Sequence, residues 1–462
     1  MRLQTKRPLG AMSLLALLLV AVAPGSAWSQ TKPGSPYKTM TMDNGLQVVV
    51  IENSTVPLVT IDIAVRNGSF TEPDEFAGLS HLYEHMFFKA NAALPSQEQF
   101  MKRVRELGIV FNGYTSQEVV TYFFTMPSRN LESGMKFMSD AIKNPLFKPE
   151  ELVKEREVVL GEFDRNEAQP AFVLNYALDS ALWMPLVSRK QPLGQRPVIK
   201  TATVEKMKMI EDIYYVPNNS ALIVSGDVKA EQIFDLARKY YSDWKRGNAP
   251  FPTHNPPAFG ALQSRLVMRD AHVPDIDLRM HFRGPSIGRE DDDAYAGALL
   301  STLLNLQTSR FYHNLVDSGV VTSAGGGYNP SMNVGPISLF MRTSKEKARR
   351  ALDMAKAELK AMAKPGYFTS EDFTTARHIA SDESIFEQDN PMNFAISTTA
   401  RWWSMASLDY HLAWADHINK VTPEQLAAFV RKYIVDHPMV VGVGGEHAAL
   451  SQTNITEEVL KW

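Results

Sequence analysis

The chain has 462 residues, of which 44% are hydrophobic and 21% are charged, as in an ordinary globular protein with two or more domains. The formal net charge of -3 provides no basic field for nucleic acid and no strong acidic field. The absence of cysteine excludes disulfides, thiolate metal ligands and a catalytic thiol.

The first predicted element is a secretory signal peptide at residues 1–29. Three basic residues precede an uncharged, largely apolar run at residues 9–24, which is short for a membrane span. Cleavage is expected after Ala27 or Ser29, and an uncleaved anchor is the alternative. No later stretch of the sequence is long and apolar enough to cross a bilayer. We therefore expect a secreted protein, and the lack of cysteine favours a bacterial periplasm.

Residues 246–262, rich in proline, glycine and asparagine, have the composition of a linker. They divide the mature chain into two parts of similar length, 30–245 and 263–462. Each part contains an alternating strand, a turn with glycine, an acidic helix start and an Ala-Gly pair before the helix body. The two copies are LVTIDIAVRNGSFTEPDEFAGLSHLYEH and IDLRMHFRGPSIGREDDDAYAGALLSTLLN. We predict an α+β class with two homologous halves, each an antiparallel-rich sheet packed with helices.

The helix of the first copy is expected from about Asp74 to Lys89, with two different faces. At about 100° per residue, His81, Glu84, His85 and Phe88 lie on one side. The opposite side forms an apolar stripe of Leu79, Leu82, Tyr83, Met86 and Phe87. Histidines at positions i and i+4 stand one turn apart and can share one metal ion. The second copy has Leu300 and its neighbours in place of the histidines, so only the first half is expected to carry a site.

Two neutral imidazoles, a third protein ligand and a water molecule form the usual catalytic site of Zn²⁺. Glu84 would stand beside the metal, where it can take a proton from that water and deliver it to a leaving amine. A helix expected to start near Pro149 offers Glu155 and Glu162, two turns apart on one face. From the residues alone, either carboxylate could bind the metal with the other in the outer shell, and a solvated acidic surface is the alternative.

These residues carry a family resemblance. HLYEHMFFKA resembles HFLEHMLFKG of the pitrilysin and insulin-degrading-enzyme family of inverted-motif zinc peptidases, and EREVVLGEF resembles its ERxVVLxE segment. The chain looks closest to the branch of mitochondrial processing peptidase and its bacterial relatives, over nearly the whole mature sequence. The resemblance implies that Glu162 is the third Zn²⁺ ligand and that Glu155 supports the ligands from the outer shell. It also implies that the two halves face each other as a clamshell around a closed chamber.

The resemblance further implies a peptide substrate that adds as an extended strand to an exposed sheet edge. Asn112, at the family's Asn-Ala-x-Thr position, is implied to contact the peptide backbone, although Gly113 replaces the usual alanine. A turn residue is the alternative interpretation of Asn112.

The second half departs from the family pattern in one segment. Many relatives have an arginine and a tyrosine there, which bind substrate and stabilise the tetrahedral oxyanion. This chain has NLVDSGVVTSAGGGY, with Val316 and Thr322 near those positions, whereas Arg310 and Tyr328 lie nearby without matching the pattern. We therefore predict a heterodimer in which a homologous partner subunit supplies the missing pair, with a homodimer as the alternative.

The predicted function is that of a secreted zinc metallopeptidase acting on oligopeptides or unfolded polypeptides. One alternative is a catalytically silent scaffold, like the family-related core subunits of respiratory complexes, but such members usually lack a metal ligand or the base. A chamber that holds unfolded peptides without cutting them is another. The run Gly325–Gly327 lacks phosphate-loop spacing, so nucleotide binding is not expected. Trp402 and Trp403 are expected to anchor a helix in the core or at a subunit contact.

Overall fold

The computed structural model describes residues 35–184, 191–248, 260–270, 273–288, 291–333 and 335–462. The predicted signal peptide and most of the predicted linker lie outside the described residues. Below, the N-terminal half means residues 35–248 and the C-terminal half means residues 260–462.

The N-terminal half contains a six-stranded sheet. Its strands are β1 Lys38–Thr41, β2 Gln47–Glu52, β3 Leu58–Val65, β4 Val110–Thr115, β5 Val120–Pro127 and β6 Ser220–Gly226. They lie in the order β1-β2-β6-β3-β5-β4, with only the β2–β6 pair parallel. In β3, the predicted alternating apolar residues face the helices of this half, and the residues between them are buried as well. This sheet is therefore covered on both faces.

The helices of this half are α1 Leu79–Phe87, α2 Gln97–Leu107, α3 Leu131–Lys143, α4 Pro149–Glu167, α5 Pro170–Trp183, α6 Arg196–Lys200, α7 Val204–Tyr214 and α8 Ala230–Tyr241. Helix α4 begins at Pro149, as predicted, because proline has no N–H to leave unpaired in the first turn. The side chains of Ser96 and Thr203 accept hydrogen bonds from backbone N–H groups at the starts of α2 and α7.

The predicted helix from Asp74 to Lys89 is shorter than expected. Residues Asp74–Phe76 form a separate 3-10 turn, and α1 starts only at Leu79. Gly78, between them, has a φ of +97°, a left-handed conformation that breaks the helix and favours glycine. The carboxylate of Glu72 accepts hydrogen bonds from the N–H groups of Gly78 at 2.8 Å and Ser80 at 2.6 Å, which fixes the start of α1.

The C-terminal half contains a five-stranded sheet. Its strands are β7 Arg265–Asp270, β8 Ile276–Gly284, β9 Ser323–Tyr328, β10 Gly335–Thr343 and β11 Val440–Gly445. They lie in the order β7-β11-β8-β10-β9, and only β7 and β11 are parallel. This arrangement matches β2-β6-β3-β5-β4 of the first half, and among the described residues β1 has no counterpart. The run Gly325–Gly327 belongs to edge strand β9.

The helices of the second half are α9 Asp291–Leu304, α10 Arg310–Tyr312, α11 Ala348–Met362, α12 Ser370–Phe386, α13 Pro391–Asn393, α14 Ala400–Met405, α15 Leu408–Ile418, α16 Pro423–Tyr433 and α17 His447–Leu450. Two π-helical turns occur at His313–Asp317 and Phe394–Thr399, and a 3-10 turn at Glu457–Leu460. The predicted order of strand, turn and acidic helix start recurs in β8 and α9. The predicted α+β class, with two similar halves that face each other, is confirmed.

Each half also covers the sheet of the other. Helix α5 packs on the C-terminal sheet, where the Cβ of an alanine at Gly442 would lie 2.8 Å from a methyl group of Leu178. In return, Phe394 and Trp403 pack on the N-terminal sheet. The Trp403 ring also lies 4.0 Å from the guanidinium of Arg66, whereas Trp402 belongs to the core of its own half. The prediction that these indoles are buried anchors is confirmed. In the described part of the chain, no helix is both long and apolar enough to span a membrane.

Candidate metal centre

The two faces predicted for the helix are confirmed within α1, whereas Phe88 lies just past its end and packs against the N-terminal core. Its five apolar residues from Leu79 to Phe87 are fully buried in the N-terminal core. His81, Glu84 and His85 lie on the other side of the helix. The two imidazoles remain partly accessible, with 16% of each side chain exposed, and Glu84 is buried. The apolar stripe therefore holds the helix so that its polar face meets α4 and β4.

Helix α4 brings Glu162 to the two histidines. Glu162 Oε2 lies 3.5 Å from His81 Nε2 and 3.8 Å from His85 Nε2. The other oxygen of Glu162 is 3.3 Å from a guanidinium nitrogen of Arg165, one turn further along α4. The structure thus brings together the three residues that the resemblance implies as ligands, whereas Glu155 lies at Nδ1 of His85.

The chemistry and spacing of this group fit a zinc ion. One ligand atom from each of His81, His85 and Glu162 lies within 4.8 Å of the other two. Ligands about 2.0–2.2 Å from one tetrahedral ion stand roughly 3.3–3.5 Å apart, so small movements would complete the site. Two nitrogens and one carboxylate oxygen also match the donor set of catalytic zinc centres. Among the described residues, no other group of three His, Asp or Glu side chains meets this spacing.

The two histidines have different protonation behaviour. Burial, with a smaller effect from the nearby His85, lowers the pKa of His81 to about 3, so this imidazole is neutral at neutral pH. Burial also lowers the pKa of His85, but the hydrogen bond to Glu155 and the negative charges of Glu162, Glu84 and Glu155 outweigh it. The net pKa of His85 is raised. A cation is therefore electrostatically favoured beside His85.

Glu155 supports His85 from behind, in the position that the resemblance implies. Its Oε2 lies 3.1 Å from His85 Nδ1, and its Oε1 lies 2.6 Å from the ammonium of Lys89. Burial raises the pKa of Glu155, but the bonds to His85 and Lys89 lower it by more, and the net pKa is below the usual range. Glu155 is thus held as an anion that can accept the His85 N–H and leave Nε2 for a metal.

The sequence prediction missed the role of Lys89. Its position four residues after His85 was the available signal, because residues at i and i+4 share a helix face.

The carboxylate of Glu84 is fixed from the side of edge strand β4. Thr115 Oγ1 donates a hydrogen bond of 2.7 Å to Glu84 Oε2. Burial raises the pKa of Glu84 and Glu162 raises it further, whereas Thr115 and His85 lower it, and the net pKa is raised. The sequence prediction also missed Thr115, although it is the threonine of the Asn-Ala-x-Thr pattern.

Gly113 explains how Glu84 comes so close to β4. A Cβ at Gly113 would lie 3.0 Å from Glu84 Cγ and 2.9 Å from the carbonyl oxygen of Thr121. The alanine that the family resemblance predicts would therefore require Glu84 or the strand to shift. Because glycine stands here, the carboxylate can lie directly against the backbone of β4.

Asn112 lies on β4, the exposed edge of the N-terminal sheet, beside the strand segment that contacts α1. Its side-chain oxygen accepts a hydrogen bond of 2.9 Å from the N–H of Gly113. The structure therefore places Asn112 on an edge where a peptide strand can add, with its side-chain oxygen engaged locally. Its role in substrate contact stays a prediction.

Arg310 and Tyr328 are both engaged within the C-terminal half. The Tyr328 hydroxyl donates a hydrogen bond of 2.8 Å to the carbonyl of Pro285, and the ring is buried. The guanidinium of Arg310 lies 5.2 Å from the ring centre of Tyr367. In the sequence, neither residue stands at the arginine or tyrosine position of the family pattern.

Comparison with known proteins gives matches in both halves. Residues 47–191 match the family model of insulinase, peptidase family M16, and residues 202–380 match that of the peptidase M16 inactive domain. The zinc protease PqqE of Helicobacter pylori is 26% identical over 343 residues, which cover 73% of this chain and 75% of that protein. A probable mitochondrial-processing peptidase subunit beta of Arabidopsis thaliana is 25% identical over 272 residues, covering 58% and 50%.

The crystal structure of a protease from Helicobacter pylori is similar in fold, with a TM-score of 0.77 at 20% identity. The match covers 88% of this chain and 99% of that one. At this identity the similarity concerns the fold alone. It agrees with a chain built from two similar α+β halves.

Proposed function

Because the chain belongs to peptidase family M16, we propose that it is a zinc-dependent peptidase that hydrolyses bonds in oligopeptides or unfolded polypeptides. One observation supports this most directly. One ligand atom from each of His81, His85 and Glu162 lies within 4.8 Å of the other two, and the Glu84 carboxylate lies on the same face of α1 as the histidines. Two helices that served only structure would have no reason to bring two histidines, a third carboxylate ligand and a buried glutamate together.

In this proposal, His81 Nε2, His85 Nε2 and Glu162 Oε2 hold the metal ion. When bound there, Zn²⁺ lowers the pKa of a coordinated water to about 7 and polarises the carbonyl of the scissile bond. The low pKa of His81 leaves its nitrogen lone pair available without loss of a proton. Glu155 would keep the proton of His85 on Nδ1 and leave Nε2 available to hold a metal ion.

Glu84 acts as the proton carrier. Thr115 occupies one of its oxygens, which fixes the direction of the other. The carboxylate accepts a proton from the attacking water and delivers it to the nitrogen of the leaving amine as the C–N bond breaks. Its raised pKa favours this exchange, because a buried carboxylate binds a proton more readily than an exposed one.

The substrate is proposed to bind as an extended strand along β4. That strand is the edge of the N-terminal sheet, and Gly113 and Thr115 on it contact Glu84 directly. Main-chain hydrogen bonds to a sheet edge hold a peptide with little regard to its side chains. Asn112 would contact the peptide backbone there. An unfolded chain can present an extended segment, whereas a folded domain cannot.

We also propose that a second, homologous subunit completes the site, and that the chain is exported to the bacterial periplasm. The segment NLVDSGVVTSAGGGY supports the first point, because it lacks the arginine and tyrosine of the family pattern. A relative that is by name a subunit supports it as well. The composition of residues 1–29 supports export.

The test compares the purified chain with two variants, Glu84→Gln and Glu157→Gln. Glu157 is an exposed residue of α4 outside the site and serves as the control. Zinc is measured by elemental analysis, and cut sites in a peptide mixture are identified by mass spectrometry, with and without a homologous partner. We expect Glu84→Gln to keep its zinc and to lose activity by about 10²–10⁴-fold, while Glu157→Gln stays active.

Two outcomes would contradict parts of the proposal. A zinc-loaded chain with no turnover, alone or with its partner, would instead support a silent scaffold or a peptide-holding subunit. Full activity of the chain alone, unchanged when a partner is added, would remove the need for a second subunit.

A further inference from the structure

Strand β7 leaves one edge of the C-terminal sheet open in the described part of the molecule. Its other edge pairs with β11, starting with the hydrogen bond of 3.0 Å from the N–H of Arg265 to the carbonyl of Met439. Because backbone groups alternate between the two sides of a strand, the N–H groups of Leu266 and Met268 point to the open edge. Neither donates to a described residue. The edge can therefore pair with one more strand.

The N-terminal half shows what occupies the equivalent position there. Strand β1 pairs antiparallel with β2, the counterpart of β7. The chain enters β1 through Tyr37, whose ring stacks on Phe394 at 5.7 Å and whose hydroxyl lies 2.8 Å from His411 Nδ1. A sixth strand is thus anchored by aromatic side chains from helices that the other half contributes.

A groove borders β7 and, as at β1, combines a sheet edge with apolar side chains from the other half. It has a volume of about 940 Å³ and runs between β7, α5 and the start of α6. Helix α5 comes from the other half, and its exposed side presents Phe172 and Tyr176 to the groove, with Met184 just beyond its end. Tyr176 is 36% and Met184 53% exposed, although both are large apolar side chains. Such a surface beside an unpaired sheet edge suits an extended peptide segment.

The charge of the groove restricts that segment. Arg265 and Arg269 are exposed, lie on the groove side of β7 and form no ion pair with any described residue. Among the described residues, the guanidinium of Arg269 donates only to the neighbouring carbonyl of Met268. The third arginine, Arg196, is already neutralised by Asp164 and Glu167, each at 2.7 Å. Within the described part of the chain, two positive charges therefore have no acidic partner.

We propose that this groove binds an extended, acidic peptide segment, which adds to β7 as a sixth strand. Side chains directly opposite one another on paired strands lie on the same face of a sheet. The acidic side chains would therefore stand opposite Arg265 and Arg269, and an apolar side chain would stand opposite Val267. The segment would bury Tyr176 and satisfy the N–H groups of Leu266 and Met268. None of His81, Glu84, His85 and Glu162 lines this groove. The proposal does not rest on the function proposed for those residues.

The test uses a fluorescent heptapeptide, Thr-Glu-Thr-Val-Thr-Glu-Thr, and a matched probe with lysine in place of both glutamates. The full mature chain carries Glu84→Gln so that neither probe is cut. We expect the acidic probe to bind and the lysine probe to bind at least about tenfold more weakly, by fluorescence anisotropy. Hydrogen exchange at Leu266 and Met268 should slow when the acidic probe is added.

Variants separate this groove from the edge of β4, where an extended peptide is also proposed to bind. The double charge reversal Arg265→Glu with Arg269→Glu should lower the affinity for the acidic probe by about tenfold or more. The control Lys102→Glu with Lys136→Glu makes the same charge change on exposed residues of α2 and α3 and should not lower it. Met268→Pro removes one N–H at the open edge without touching the bonds to β11, and should also weaken binding.

Three results would overturn the proposal. Equal binding to the wild-type groove and to the charge reversal would place the probe elsewhere. Absence of binding by both probes would mean that the arginines only protect the edge from pairing. Protection of Leu266 and Met268 without any probe, rising with protein concentration, would identify a second copy of the chain as the occupant instead.

Discussion

Helices α1 and α9 occupy the same place in the two similar halves, but only α1 carries side chains that suit a metal ion. Each helix follows the central strand of its sheet and lies beside an edge strand, β4 or β9. Where α1 has His81, Glu84 and His85, the matching positions of α9 are Leu300, Leu303 and Leu304, all buried. The same backbone thus supports a polar site in one half and an apolar core in the other.

The difference also shows what the edge strands contribute. In the C-terminal half, a Cβ at Gly326 would lie 3.1 Å from a methyl group of Leu304, so α9 packs directly on β9. In the N-terminal half, the equally close approach at Gly113 places the strand against the carboxylate of Glu84. Close packing of helix and edge strand is therefore common to both halves, and only the side chains decide whether it excludes water or positions a base.

The largest expected effect tests this equivalence by exchanging side chains between the helices. Leu303→Glu places a charge without a partner in the apolar core, and we expect it to reduce the free energy of unfolding by about 3–5 kcal/mol. Glu84→Leu should leave that free energy unchanged or raise it slightly, because a partly desolvated carboxylate is removed. Denaturant unfolding of both variants measures the difference. Similar losses in the two variants would contradict the contrast drawn between these positions.

The starts of the two helices provide a pH-dependent contrast. Glu72 at the start of α1 is buried, and burial raises its pKa from 4.5 to about 7, against the hydrogen bonds from Gly78 and Ser80. The acidic residues at the start of α9 are not buried. Because the folded state binds the Glu72 proton more tightly than the unfolded chain, its stabilising contribution is complete below about pH 4.5. That contribution is lost as the pH rises through 7.

We therefore expect the titration of Glu72 alone to lower the free energy of unfolding by roughly 1–3 kcal/mol as the pH rises from 5 to 8. In Glu72→Gln this part of the pH dependence should disappear, whereas Asp292→Asn at the exposed start of α9 should leave it unchanged. Unfolding midpoints across this pH range provide the measurement. A slope that is the same in Glu72→Gln and the wild type would show that another group titrates.

Glu155 and Lys89 form a polar chain behind His85, whereas the matching position in α9, Leu304, is apolar. Glu155→Gln and Lys89→Met each weaken the acceptor for the His85 N–H, and we expect zinc affinity to fall by about 10–100-fold. Competition with a zinc chelator measures the dissociation constant, with Glu157→Gln as the control on the same helix. Unchanged affinity in both variants would mean that Glu155 and Lys89 stabilise only the fold.

The smallest effect concerns the contact between β4 and Glu84. Thr115→Val removes the hydrogen bond to the base, and we expect kcat to fall roughly three- to tenfold with KM and zinc content unchanged. Thr115→Ser keeps the hydroxyl and should restore most of the rate. If the serine variant is as slow as the valine variant, the methyl group and not the hydrogen bond is what matters.

Local sequence pattern predicted the features that depend on one element at a time. The two faces of α1 follow from its helical periodicity, and the start of α4 follows from Pro149 at its first turn. The recurrence of strand and helix in both halves was predictable as well, because each copy is a local pattern in the sequence. The choice of Glu162 over Glu155 needed the family resemblance, since both carboxylates lie on one face of α4.

Features that depend on neighbours in space were not predictable in this way. The break at Gly78 depends on how the chain before α1 packs. A single glycine does not interrupt the helical spacing of the apolar residues, so that spacing does not indicate the break. Lys89 and Thr115 acquire their roles only because Glu155 and Glu84 lie next to them in the fold. Nor does any local pattern state that α5 covers the sheet of the other half.

Each half covers the sheet of the other, and this has a consequence for folding during synthesis of the chain. One face of the N-terminal sheet is covered by Phe394 and Trp403, which are synthesised long after the last strand of that sheet. Until then, the sheet carries an apolar surface that has no cover from its own half. A truncated chain that ends near residue 248 would keep that surface exposed and should aggregate. The two halves are thus similar in architecture, yet each covers part of the sheet of the other.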